Sequence, residues 1–496
     1  MEIAKTPIPF ATGKYNGRSA ISSLENMKNL YIEVTGANAE SPVAAIGTPG
    51  LTLFSLIPGV SGVLKMIVVR DRIYAVTALG LWRVNEAGAT KIADHIIVGR
   101  VSIADDGDII MYVDGYSAYA YTISNGDFQK VDIRPADNVI WQFGYFAVNK
   151  KGTNQWAVSD LDSVNFNPLQ FASAEADPDF ILGIEGDHQE AWLFGEDSTE
   201  VWRISNSQFP YDPIQGAFVQ KGISGPNAHV RTDNTIYWIG DDKIVYVANG
   251  YQPVRISNNS IEEDFSKVDL SDAFMMTYTE EGHIFVWITA PTLNSSYVYD
   301  VYNGLWHERT SLKEGRHVAN TMVRYRGKTL VGDFRDGRIY LFDLDNPLDD
   351  GDVIERECTL PPLFGEGNRQ KNAVFELKAQ NFGNLIKQNR TVYAGTTTAD
   401  TTCVTADSTI VTADGFNPSN KKCKGLPRPD QKPMIGLKCT DNHGQTWTPY
   451  DYRPSASKGK QDLRYQWLKL GTYYERSYRL RTTAPFPVIW IGAYVG

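Results

Sequence analysis

Met66-Ile67-Val68-Val69 and Arg72-Ile73-Tyr74-Ala75-Val76 decide the fold, because they are short β-branched and aromatic runs with a period of two rather than 3.6. The same texture returns in Lys243-Ile244-Val245-Tyr246-Val247, His283-Ile284-Phe285-Val286-Trp287 and Arg338-Ile339-Tyr340-Leu341-Phe342. Between such runs stand the dipeptides Asp106-Gly107, Asp114-Gly115, Asn125-Gly126, Asn249-Gly250, Asn303-Gly304 and Asp336-Gly337. They offer the positive φ that type I′ hairpin turns require. The reading is a nearly all-β chain of tight antiparallel meanders.

These meanders repeat. Units of strand, turn, strand, turn, strand begin near Leu64, Gly99, Val139, Phe180, Ala228, Ala273 and Ala319, in steps of 35, 40, 41, 48, 45 and 46 residues. That spacing fits the roughly 40–50 residues of a four-stranded propeller blade. A β-propeller of about seven blades over 64–351 is expected, with six or eight as the neighbouring counts. A pair of β-sandwiches also yields evenly spaced strands, but seven consecutive units favour radial repetition. Residues 1–63 are expected to close a blade or to join a second domain.

After Asp352 the pattern changes. Residues 352–496 hold all four cysteines (Cys358, Cys403, Cys423, Cys439) and an alternating tail, Trp467-Leu468-Lys469-Leu470-Gly471, Tyr478-Arg479-Leu480-Arg481 and Val488-Ile489-Trp490-Ile491. This predicts a C-terminal β-sandwich. Thr398-Ala399-Asp400, Thr405-Ala406-Asp407 and Thr412-Ala413-Asp414 recur every seven residues within it and run into the Lys- and Pro-rich 421–429. Residues 395–432 therefore read as an exposed insertion.

Composition narrows the function. With 496 residues, 42% hydrophobic and 21% charged, the chain can bury a real core and is neither disordered nor low-complexity. A net charge of −10 argues against a protein that coats nucleic acid. The charge is nevertheless segregated: residues 421–481 hold 14 Lys/Arg against 5 Asp/Glu, and residues 1–420 hold 34 against 53. Such asymmetry is a partner signal. The start shows no basic segment ahead of an apolar core, so no secretory signal is read and the chain is expected to stay in the cytosol when made. The apolar stretch Leu51 to Val69 is broken by Pro58, Gly59, Gly62 and Lys65, which predicts no membrane insertion of its own.

Candidate chemistry dissolves on inspection. Thr440-Asp441-Asn442-His443-Gly444-Gln445-Thr446-Trp447 resembles the Asp-box hairpin of sialidases, but that motif is structural, and the single copy lies outside the expected propeller. The acidic pairs Glu262-Glu263 and Asp349-Asp350 read as solvated turn residues rather than a general acid and base. Asp343-Leu344-Asp345-Asn346 with Pro347 lacks the glycine of an EF-hand. The seven histidines show no ligand-like pairing, and no cysteines form Cys-x-x-Cys. No phosphate-binding loop or nucleophile elbow occurs. The expectation is no enzyme, with no catalytic, cofactor-binding or metal-ligating residues and no cofactor.

The order of several motifs is similar to one family, the tail nozzle or hub proteins of short-tailed bacteriophages, also called packaged-DNA stabilisation proteins. Asn29-Leu30-Tyr31-Ile32-Glu33 with Thr48-Pro49-Gly50-Leu51 resembles the family's opening, and 71–76 with Leu81-Trp82-Arg83-Val84 its first blade. Asp177-Pro178-Asp179, Ile181-Leu182-Gly183-Ile184, Ser198-Thr199-Glu200-Val201-Trp202 and Val219-Gln220-Lys221-Gly222-Ile223-Ser224-Gly225 follow its mid-chain order. Trp467, Leu470-Gly471, Arg476, Tyr478-Arg479-Leu480 and Gly492-Ala493 resemble its end. Asn442-His443-Gly444 and the 395–432 insertion depart from the pattern. The resemblance implies a virion protein assembled in the host cytoplasm: a homohexameric tail ring beneath the portal and its adaptor. Its neighbours would be a tail spike or fibre and a needle or plug, and double-stranded DNA would pass without sequence-specific binding. The competing expectations are a sialidase-like propeller glycosidase and a generic propeller scaffold.

Overall fold

Why a period of two gives a propeller here is visible in Ile73-Tyr74-Ala75-Val76. Ile73 and Ala75 pack toward the last blade, while Tyr74 and Val76 pack toward the second, so both faces of one strand are buried. The computed structural model describes residues 5–15, 24–34, 41–365, 367–380, 434–454, 462–485 and 487–496. The expected insertion at 395–432 lies outside the described residues.

Seven antiparallel meanders form seven blades, each with four strands. Blades 1 to 5 cover 65–93, 102–131, 139–173, 181–219 and 229–255, each as a separate four-stranded sheet. Blade 6 covers 274–308. Blade 7 has the strands Ala319–Tyr325, Lys328–Asp333 and Arg338–Asp343, and its fourth is the N-terminal strand Gly50–Leu56, paired from Arg338↔Leu56 to Asp343↔Gly50. That strand ties the two ends of the ring together. The first strands of consecutive blades touch all the way round, the seventh against the first. The apolar clusters lie between consecutive blades, for example Met111, Val113 and Ala118 against Phe146 and Val148. The core is thus a ring of interblade layers, and the chain is an all-β propeller.

Blade 6 does not end at its fourth strand. Its Leu305–Glu308 pairs in parallel with Asn26–Lys28, and the sheet runs on through Arg356–Thr359, Glu475–Thr482, Met434–Thr440 and Asp451–Pro454. A further sheet has the order Leu30–Val34, Val43–Gly47, Ile489–Val495, Val374–Gln380 and Asp462–Leu468, with Thr6–Ile8 also on Ile489–Val495. Side chains of both sheets, among them Phe375, Trp467, Trp490, Tyr478 and Leu480, share one buried cluster.

Three sequence expectations are corrected. None of the six Asp-Gly and Asn-Gly dipeptides has positive φ at both residues, as type I′ demands. In Asn125-Gly126 and Asn303-Gly304 the side-chain oxygen instead caps the loop, Asn125 Oδ1 accepting from Asp127 N at 2.9 Å and Asn303 Oδ1 from Leu305 N at 2.9 Å, and only the glycine turns left-handed. Glu262-Glu263 are not on a turn; they ride the helix Asn259–Ser266, whose N-cap Asn258 accepts from Ser260 N and Ile261 N. Asp349 is not solvated but buried, in a short strand alongside Leu51. Among the described residues no helix is long and apolar enough to cross a membrane.

Candidate functional site

The hairpins that join each blade's first strand to its second gather at one end of the propeller axis. Five are two-residue loops with positive φ at both positions: Arg70-Asp71, Phe143-Gly144, Asp233-Asn234, Glu281-Gly282 and Arg326-Gly327. These are the type I′ turns; four of them open on Arg, Phe or Glu, and the fifth is Asp233-Asn234. A non-glycine residue in this region costs roughly 1–2 kcal/mol, less for Asn and Asp. Strand pairing on both sides of each loop fixes the register and holds it there. Blade 4 turns at His188, φ 51°, and blade 2 at Asp106-Gly107-Asp108, where Asp106 Oδ1 accepts from Asp108 N at 2.7 Å and Ile109 N at 2.6 Å.

Charge ties neighbouring hairpins at this mouth. Arg326 pairs with Asp71 between blades 7 and 1, Arg70 with Asp108 at 3.0 Å between blades 1 and 2, and Arg231 with Asp187 at 2.9 Å between blades 5 and 4. Arg324 donates to Thr279 Oγ1 at 2.6 Å between blades 7 and 6. The hydrogen bond from Arg326 holds the Asp71 carboxyl below its usual range. Burial, and then the neighbouring Glu281, raise Glu280; burial likewise raises Asp105. Inside the mouth lies a cavity of about 530 Å³, lined by Ile67, Ile103, Trp141, Phe143, Glu185 and Arg231 among others.

The other end of the axis is crossed by one side chain. Arg100, just ahead of blade 2, donates to Asn320 O at 2.7 Å and Asn320 Oδ1 at 3.1 Å in blade 7, and its guanidinium stands 3.2 Å from the ring centre of Phe274 in blade 6. Lys65 sits nearby, and burial together with the Arg100 charge pulls its ammonium down to about 8. A duplex whose major groove alone is about 12 Å wide does not thread an axis crossed in this way. The axis is a structural strut with a polar mouth. Among the described residues no three His, Cys, Asp or Glu side chains are grouped to hold a metal ion.

Several of the residues weighed in the sequence have defined places in the hydrogen bonding of the fold. His283 is buried and its Nδ1 is 2.7 Å from Asp300 Oδ2, a hydrogen bond that raises the imidazole pKa. In the Asp-box-like hairpin Asn442 Oδ1 accepts from Thr446 N at 2.9 Å, and Asp441 receives Arg476 Nε and Nη2 at 2.6 and 2.7 Å. The mid-chain motifs build loops: Asp179 Oδ2 accepts from Asp197 N and Ser198 N at 2.9 Å, and Glu200 Oε2 accepts from Trp202 Nε1 at 3.1 Å. Gly195 is required there, since a Cβ would lie 2.2 Å from Asp179 Oδ2. Cys358 and Cys439 are free thiols, the first buried; Cys403 and Cys423 lie outside the described residues. At the basic end Arg479 and Arg481 meet Glu357 at 3.4 Å and Glu355 at 2.6 Å, and Lys421 to Arg428 lie outside the described residues. The type I′ ring was missed because its signal is loop length between paired runs, as in Val69-Arg70-Asp71-Arg72, and not residue type.

A protein-family model described as bacteriophage P22 Gp10, beta-propeller, matches residues 6–346. No curated protein matches the chain. Among solved structures, the computationally designed Ika8 protein is 10% identical with a TM-score of 0.38, over 60% of this chain and 100% of its own. YCF48 from Cyanidioschyzon merolae is 11% identical with a TM-score of 0.39, over 59% and 98%. BamB from Moraxella catarrhalis is 12% identical with a TM-score of 0.38, over 59% and 97%.

Proposed function

The chain belongs to the phage-stabilisation family described as bacteriophage P22 Gp10, beta-propeller, and from that membership we propose that it is the tail nozzle or hub of a short-tailed phage. The family is one of structural phage proteins, which implies a virion component and not an enzyme. In the finer reading, six copies form a ring below the portal and its adaptor, retain the packaged genome and line the path of its ejection. A tail spike or fibre and a needle or plug would be the other neighbours. Assembly would take place in the host cytoplasm.

The observation that carries this reading is the reach of the match, 6–346, which takes in all seven blades and the closing strand Gly50–Leu56 together. Physical argument adds a constraint. Because Arg100 crosses the propeller axis, the DNA path has to run between copies and not through a propeller. The net −19 of residues 1–420 then suits a lumen that repels phosphate and lets the genome slide. In this reading 64–351, with the strand that closes it, form the propeller body, and 352–496 form a β-sandwich module for docking to ring neighbours.

The test is genome retention. Particles assembled without this protein should package DNA and then lose it, so that the genome becomes nuclease-sensitive; adding the purified protein back should restore protection. Empty-handed complementation, with DNA equally protected in its presence and absence, would overturn the assignment.

A further inference from the structure

The axial mouth presents two aromatic side chains to solvent. Trp141 and Phe143 of blade 3 are 37% and 47% exposed, and both line the cavity of about 530 Å³. That volume falls within the roughly 300–1,000 Å³ of small-molecule pockets. Phe143 also holds a left-handed backbone, φ 52°, which a bulky residue adopts at a cost and here without burial in return. A cost kept where packing does not require it points to use of the ring by something that enters the cavity.

Polar groups from three other blades line the same space. Asp105 Oδ1 of blade 2 accepts from Gly107 N at 3.0 Å, and its Oδ2 has no partner among the described residues. On blade 4, Glu185 Oε1 accepts from Gly186 N at 2.9 Å, and Oε2 is 3.3 Å from His229 Nδ1. Asp187 Oδ1 stands 2.9 Å from Arg231 Nε of blade 5 and 2.9 Å from His188 Nδ1. This carboxylate orients both side chains and leaves the guanidinium amino groups and His188 Nε2 for a ligand.

The charges around the cavity match. Asp105, Glu185 and Asp187 stand against Arg231, Lys65 and Arg100; Lys65 lies two residues before the cavity-lining Ile67, and the charges of Glu185 and Arg100 both act on its ammonium. The hairpin pairs Arg326 with Asp71 and Arg70 with Asp108 are neutral as well. An ammonium ligand would meet Arg231 and Lys65, and a phosphate or carboxylate would meet Asp105 and Glu185. The cavity suits a neutral molecule with an apolar face and hydroxyls around its edge.

We propose that the axial mouth is a saccharide site, in which the apolar face of a neutral pyranose stacks on Trp141 and Phe143 while its hydroxyls donate to Asp105 and Glu185 and accept from Arg231 and His188. Ionised groups make the stronger hydrogen bonds, and donors and acceptors on either side of the rings read the positions of the hydroxyls. The site adds ligand recognition to the structural role and does not depend on it.

The probes are maltose, cellobiose, lactose and chitobiose, neutral disaccharides that differ in linkage and stereochemistry. Titrated calorimetrically into the full chain, at least one should bind at a single site per chain, and neither spermidine nor adenosine monophosphate should displace it. Trp141→Ala should weaken that binding about tenfold. Phe143→Asn should weaken it too while leaving the chain at least as resistant to urea as the wild type, a combination that a ring serving the fold alone would not give. No binding of any of these sugars, or binding unchanged in both variants, would overturn the proposal. Displacement by spermidine or by adenosine monophosphate would overturn it as well, in favour of a cation or a nucleotide site.

Discussion

Blades 1 to 5 pair strands that follow one another in the chain, whereas the C-terminal sheets pair Thr6–Ile8 with Ile489–Val495 and Asn26–Lys28 with Arg356–Thr359. The propeller is built from local hairpins and sealed by one long-range strand; the C-terminal sheets join a few local pairs, such as Leu30–Val34 with Val43–Gly47 and Met434–Thr440 with Asp451–Pro454, mainly through long-range ones. The contrast teaches where stability and legibility part. A ring of blades owes its closure to Gly50–Leu56, while the C-terminal core owes its existence to segments drawn from both ends of the chain.

The comparison is broken most severely at the seal. Leu51→Asp places a charge where a side chain 2% exposed now packs between blades 6 and 7. It should cost about 4–5 kcal/mol. Limited proteolysis should then cut between Leu56 and Lys65, where blade 7 and blade 1 are joined; an unchanged digestion pattern would mean that the closing strand is dispensable. Next in size is Trp467→Ala, which empties a fully buried site in the C-terminal cluster and frees the Asp451 carbonyl now 2.8 Å from its Nε1. A loss of about 3–5 kcal/mol is expected. Hydrogen exchange should show protection falling in 374–380 and 475–495 while blades 2 to 4 keep theirs. Loss in both together would make the two regions one cooperative unit.

Smaller effects sharpen the picture inside the propeller. Asp300→Asn removes the partner that raises His283. A raised folded pKa stabilises fully below the unfolded value of about 6.5 and fades as pH rises through the folded value. The wild type should therefore lead the variant by roughly 1–3 kcal/mol at pH 5.5 and by less at pH 8.5, in urea melts at the two pH values. A gap that widened with pH would contradict the pairing. Smallest is Phe143→Asn at the axial mouth, φ 52° and 47% exposed. Relief of the left-handed backbone should stabilise by up to about 1 kcal/mol. Clear destabilisation would show that the Phe143 ring is held by packing.

The same contrast explains what the sequence disclosed. Seven meanders were legible because each blade is a local object: Lys65, Val139, Ile181, His229, Phe274 and Ala319 open blades within a residue of the periodic starts, and Ser102 within three. The helix Asn259–Ser266 was hidden because two turns between strands carry too short a pattern to register. Asp349 read as solvent-facing because its burial comes from Leu51, almost three hundred residues away, and from Arg309 and Arg356. The axial mouth escaped notice because Arg70, Phe143 and Arg326 do not advertise positive φ.

The central claim, a virion ring in which DNA passes between propellers, is tested most directly by electron microscopy of phage particles carrying a tag at the C-terminus of this chain. A six-fold ring at the tail vertex, below the portal, with tags arrayed around a central channel, is the predicted result. Tag density on the capsid shell, or a single copy with no channel beside it, would contradict the account.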